Sequence, residues 1–98
     1  MTKEDIKRTL KANREKLKRY HVRRIGLFGS RARGVSRAKS DIDLLVEFDE
    51  PIDLFAFVHL TNDIENILHH KVDLATEKSL KPYIRSRVMK EVEWVEGL

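Results

Sequence analysis

The run IDLLVEF, from Ile42 to Phe48, constrains this chain more than any other stretch. β-Branched, aromatic and aliphatic residues at this density read as a strand. Side chains alternate along a strand, so positions 42, 44, 46 and 48 share one face, and they are Ile, Leu, Val and Phe. That face requires a core to bury it. The other face carries Asp41, Asp43, Leu45 and Glu47, which aims two carboxylates the same way with Cα atoms about 6.6 Å apart. The segment KVDLA repeats the device: Val72 and Leu74 turn to the core and Asp73 turns away, toward the first two acids.

Around these strands the chain reads as one domain, residues 1–98, with no repeat, linker or low-complexity tract. Thr2 is an N-cap with Asp5 three residues on, and Ile6, Leu10, Leu17 and Tyr20 fall on one helical face that Asn13 interrupts. The helix ends near Tyr20–His21. Residues 23–28 form a first strand stopped by Gly29, residues 30–40 a loop or short helical turn, and residues 41–48 the second strand, which leaves at Pro51. Asp53 caps a helix reaching His69, with Phe57, Thr61, Ile64 and Leu68 at helical spacing. Residues 71–76 form a third strand, and Ser79 caps a last helix with Pro82 in its first turn. The tail EVEWV is an edge strand or that helix's last turn. This order predicts an α/β (α+β) fold, a small mixed sheet flanked by helices.

Three carboxylates converging on one side of a sheet repel one another. Two unit charges 4 Å apart cost about 4 kcal/mol at an effective dielectric near 20, against a total domain stability of roughly 5–15 kcal/mol. Such a cluster calls for a cation. Magnesium suits hard carboxylate oxygens that leave positions open for water and phosphate. Taken alone, a D-x-D pair also fits the solvent face of a one-sided sheet, and the preceding turn decides between the two.

Gly29 ends an apolar strand, where a glycine lets the backbone turn tightly and approach a ligand. Ser30 adds a hydroxyl, and Arg31 and Arg33 add positive charge. A turn of this kind receives phosphates that magnesium bridges to the carboxylates. Gly-Ser, ten residues, then Asp-x-Asp places complementary halves of one metal–nucleotide site on adjacent strands.

GSRARG followed by SDIDLLVEF resembles the signature of the polymerase-beta-like nucleotidyltransferase superfamily. The chain's size and KVDLA resemble its minimal nucleotidyltransferases, the antitoxin half of HEPN–MNT toxin–antitoxin pairs. The resemblance implies the superfamily's fold. It also implies magnesium, as a two-metal site, held by Asp41, Asp43 and Asp73 as the catalytic residues, with triphosphate contacts from Gly29 and Ser30. Arg31 and Arg33 are added as candidates for neutralising the leaving pyrophosphate. ATP is the implied substrate and a HEPN-domain ribonuclease toxin the implied partner. AMP would pass to a tyrosine hydroxyl of that toxin within a heteromeric complex.

A binding-only antitoxin with a vestigial site is the competing reading. A third, a nucleic-acid module, draws on residues 1–24, where ten Lys/Arg against three Asp/Glu give +7 within a chain of net charge +4. The basic residues surround the helix without aromatic platforms, so direct nucleic-acid binding is not expected. Cysteine is absent, which excludes a disulfide scaffold and a cysteine zinc site. No apolar run approaches membrane-spanning length, so the expected location is the cytoplasm. His69 and His70 are adjacent rather than at zinc-binding helical spacing, and His21 and His59 read as surface or boundary residues. Phe55, Phe57, Tyr83 and Trp94 read as core, or else partner-facing.

Overall fold

The computed structural model describes residues 1–34 and 40–98. Thr2 opens α1 (Lys3–Ala12) with a capping box: its hydroxyl accepts from the Asp5 amide at 3.1 Å while Asp5 accepts from the Thr2 amide at 3.0 Å. The single helix expected to reach Tyr20–His21 is instead divided at Asn13, the residue that interrupts its apolar stripe, and α2 (Arg14–Lys18) follows. Ile6, Leu10 and Leu17 are fully buried, and Tyr20 packs at the core's edge, donating its hydroxyl to Asp63 at 2.6 Å.

The sheet runs β3–β2–β1–β4. Its centre is β1 (Val22–Phe28) antiparallel to β2 (Ile42–Phe48), while β3 (Val72–Ala75) lies parallel to β2. A parallel neighbour needs a crossover, and α4 (Leu54–Leu68) supplies it, capped by Asp53 and closed by His69 in the left-handed conformation. Leu60, Ile64 and Leu68 on α4 meet the α1 stripe and the Ile42/Leu44/Val46 face of β2 in one core. No helix among the described residues is long and apolar enough to cross a membrane.

The second face of the sheet departs from a simple polar surface. Leu45, on the carboxylate side of β2, is fully buried, as is Val88 of α5 (Pro82–Glu91), and neither belongs to the main core cluster. The tail is an edge strand, β4 (Glu93–Trp94), paired with Gly26 and Leu27 of β1. Gly26 is the residue that lets it approach, because an added Cβ would lie 2.6 Å from Val92 Cγ2 and 2.9 Å from Trp94 Cε3.

Two expectations need correction. Ser79 does not cap α5: it exchanges hydrogen bonds with Thr76 and closes a 3-10 turn, Glu77–Ser79. Pro82 fixes the start of α5 and holds Lys81 extended as its N-cap, which leaves Ser79 too far back to reach the first amides. Phe55 and Tyr83 are not core, being 80% and 76% exposed. Phe57 packs half-buried against the core, edge-on to Phe48, and Trp94 lies half-buried beneath the Arg24 guanidinium. Much of the basic N-terminal charge is paired internally, with Lys3 and Lys7 both on Glu93 and Arg23 and Arg24 both on Glu47.

Candidate active site

The carboxylates gather at the end of the sheet where β1 finishes and β2 and β3 begin. Register places Phe28 opposite Asp43 and Asp43 beside Asp73. Asp43 is half-buried between them, whereas Asp41 and Asp73 are exposed. Burial pushes the Asp43 carboxyl up to about 6, and repulsion from Asp73 and then Asp41 adds to the rise. The nearby Arg33 partly offsets it, and Glu91 adds to it. Among the described residues no group of three or more His, Asp or Glu is drawn tightly enough to hold a metal ion.

Immediately after β1 the backbone turns through Gly29, at φ 75° and ψ −155°. Glycine is required twice over: the positive φ disfavours any other residue, and a Cβ here would collide with the Asp43 carboxylate. The single-turn helix α3 (Ser30–Arg33) follows, ended by Gly34 in the left-handed conformation. The predicted loop-or-turn over 30–40 is therefore helical at its start, and residues 35–39 lie outside the described residues. Ser30 opens α3 next to the Asp43 carboxylate's neighbour, Gly29.

Arg31 and Arg33, paired in the sequence reading, diverge. Arg33 is exposed and sits at the site, its Nη1 donating to both oxygens of Glu91 at 3.3 and 3.2 Å. Arg31 is 5% exposed and donates to the Met1 carbonyl at 3.2 Å, the Ser40 carbonyl at 2.9 Å and His70 Nε2 at 3.0 Å. Since arginine only donates, Nε2 accepts, and His70 Nδ1 faces the Lys71 carbonyl as the donor at 3.0 Å. Arg31 thus ties the residue before Asp41 to the residues that lead into β3. Its visible work is to set the two carboxylate-bearing strands.

Glu91, the last residue of α5, went unremarked in the sequence. Its Oε1 also accepts from the Gly29 backbone amide at 3.2 Å. A groove of about 730 Å³ lies at the far end of β2, lined by Phe48, Ile52, Phe57 and Arg85 among others, and holds none of the predicted site residues. The carboxylate end, with its glycine turn, is the better match to a phosphorylated ligand.

A family model described as nucleotidyltransferase domain matches residues 6–95. The chain belongs to the nucleotidyltransferase family. Among curated relatives, this nucleotidyltransferase is 41% identical over 96 residues to the protein adenylyltransferase MntA of Thermococcus cleftensis, covering 97% of each chain. Its fold is similar to that of a solved minimal nucleotidyltransferase, with a TM-score of 0.81 at 34% identity and 95% of each chain covered. It is also similar to a chain in the crystal structure of a toxin–antitoxin with AMP-PNP, at TM-score 0.70 and 26% identity, covering 90% of this chain and 73% of the other. The resemblance to minimal nucleotidyltransferases, the mixed α/β fold it implied and the nucleotidyltransferase activity class all hold.

Proposed function

We propose that this nucleotidyltransferase is a magnesium-dependent protein adenylyltransferase that moves AMP from ATP to a tyrosine hydroxyl of a HEPN ribonuclease toxin, and so serves as its antitoxin. The observation that carries the reading is the Asp43–Asp73 pair seated beside the Gly29 turn. Similarity to a protein adenylyltransferase and to a nucleotide-bound toxin–antitoxin structure supports the choice of AMP and of a protein acceptor.

The donor set suits magnesium. All three groups are hard carboxylates, and the raised Asp43 carboxyl marks a site short of positive charge. Asp41, Asp43 and Asp73 would hold the metal, with exposed Asp41 and Asp73 free to rotate toward it. When bound, magnesium supplies charge stabilisation for the attacking and leaving oxygens. The chain's own groups do the rest. The Gly29 amide and Ser30 receive phosphate oxygens, and Arg33 faces the leaving pyrophosphate. Asp73 completes the site for the attacking hydroxyl, as ligand or as the base that takes its proton. The phenolic oxygen bonds to the α-phosphorus while the bond from that phosphorus to the α–β bridging oxygen breaks, releasing pyrophosphate. Tyrosine suits this step because a phenol, with pKa ≈ 10, ionises more readily than an aliphatic alcohol. In this reading the partner brings the acceptor hydroxyl to the site within a heteromeric complex. Direct nucleic-acid binding has no part in this reading.

Intact-mass spectrometry of the toxin after incubation with the enzyme, ATP and magnesium tests it. The expected result is a toxin heavier by AMP and devoid of ribonuclease activity, with Asp41→Asn and Asp43→Asn enzymes that bind it unmodified. A toxin silenced at unchanged mass would leave binding alone as the antitoxin mechanism.

A further inference from the structure

We propose that Glu91 is a built-in anion that occupies the phosphate-receiving groups of the Gly29 turn until a triphosphate displaces it. The role rests on the nucleotide site described above. Glu91 Oε1 accepts from the Gly29 amide and from Arg33 Nη1, while Oε2 accepts from the same Nη1. These are the two donors a phosphate oxygen would seek at this turn: a backbone N–H at a strand end and a guanidinium. The carboxylate reaches them from the last residue of α5, with only 19% of its side chain exposed.

Its charge is what a purely structural tie would avoid. Asp43 already lies among Asp41 and Asp73, and Glu91 adds a further negative field at the same carboxyl. A neutral amide could accept from Gly29 and leave Asp43 less crowded. A carboxylate is favoured only where its charge matters, and here it neutralises Arg33 and satisfies the part-buried Gly29 amide. A triphosphate offers more charge and more oxygens than one carboxylate and takes both donors over. Repulsion between the incoming phosphates and Glu91 then drives the side chain out. Glu91 thereby sets a threshold that singly charged anions do not pass.

Calorimetric titration of wild type, Glu91→Gln and Glu91→Ala with ATP·magnesium, and separately with inorganic tripolyphosphate, tests the role. Glu91→Gln should bind both probes about 3- to 10-fold more tightly, the scale of one partly exposed ion pair. Its melting temperature without ligand should fall slightly. Glu91→Ala should move in the same directions, so that affinity and intrinsic stability change with opposite signs. A residue that merely supports the turn predicts that both fall together, and that result, or unchanged affinity, overturns the proposal. Wild type that binds neither probe overturns the nucleotide site itself, and this role with it.

Discussion

At neutral pH the Asp43 carboxylate is ionised against its own burial and against Asp73 and Asp41, and its carboxyl has risen from 3.8 to about 6. A carboxyl raised in the folded state stabilises the fold below its unfolded value and loses that contribution as pH climbs through 6. The metal-free protein should therefore lose stability between about pH 4 and pH 7 through this group, by about 1–2 kcal/mol once solvent screening at a half-buried site is allowed for. Asp43→Asn should remove that slope and melt higher than wild type at pH 7 without magnesium, while gaining less from added magnesium. Thermal melts across pH check both; equal responses of the two proteins to the metal would remove the metal-site reading. Gly29→Ala should cost about 1–3 kcal/mol from the positive φ alone, with collision against Asp43 added, and Ser30→Ala should weaken ATP·magnesium binding by about 1–3 kcal/mol with secondary structure unchanged. Denaturant melts and calorimetry separate these two. That the three aspartates converge at one end of the sheet was legible because strand alternation is a local rule. Arg31 was not, since residues two apart on a helical turn project about 200° apart, and nothing in RAR announces that its stretch is helical. Glu91 was out of reach: it meets Gly29 across 62 positions of chain, a distance no spacing rule spans.

Elements were read best where a cap and a periodic stripe agreed. Thr2 with Asp5, and Asp53 ahead of the Leu60/Ile64/Leu68 stripe, fixed the starts of α1 and α4. The start of α5 was misread because Thr76, Ser79 and Pro82 offer competing signals, and the proline's geometry overrides a hydroxyl two residues before Lys81. Leu45 was placed on the carboxylate face of β2, but its full burial there is something a single strand's pattern does not reveal without the elements that cover it. β4 pairs with β1 at Gly26 and Leu27 and is tied down by Lys3 and Lys7 on Glu93, and its close approach needs the missing side chain of Gly26. Gly26→Ala should force Val92 and Trp94 away and cost about 1–3 kcal/mol, as overpacking does. Because Arg24 stacks on Trp94 at 3.7 Å, tryptophan fluorescence should report the displacement directly.

Across the whole molecule, the site depends on joining parts that no local fragment contains. Asp43 and Asp73 become neighbours only through the parallel pairing of β2 with β3, after α4 has crossed between them. Long-range pairing of this kind carries a high loop-closure cost and forms late in folding. Until β3 docks, the outer edge of β2 is an unpaired row of amides and carbonyls in an otherwise apolar strand, the kind of edge that recruits a second chain. Asp41 and Asp43 stand at the start of that edge, and two charges there repel an identical strand. These two carboxylates thus serve as gatekeepers of the nascent sheet as well. Neutralising them should give a folded protein that is more stable without metal and yet scatters more light when refolded from denaturant, because thermodynamic gain and kinetic protection reside in the same carboxylates.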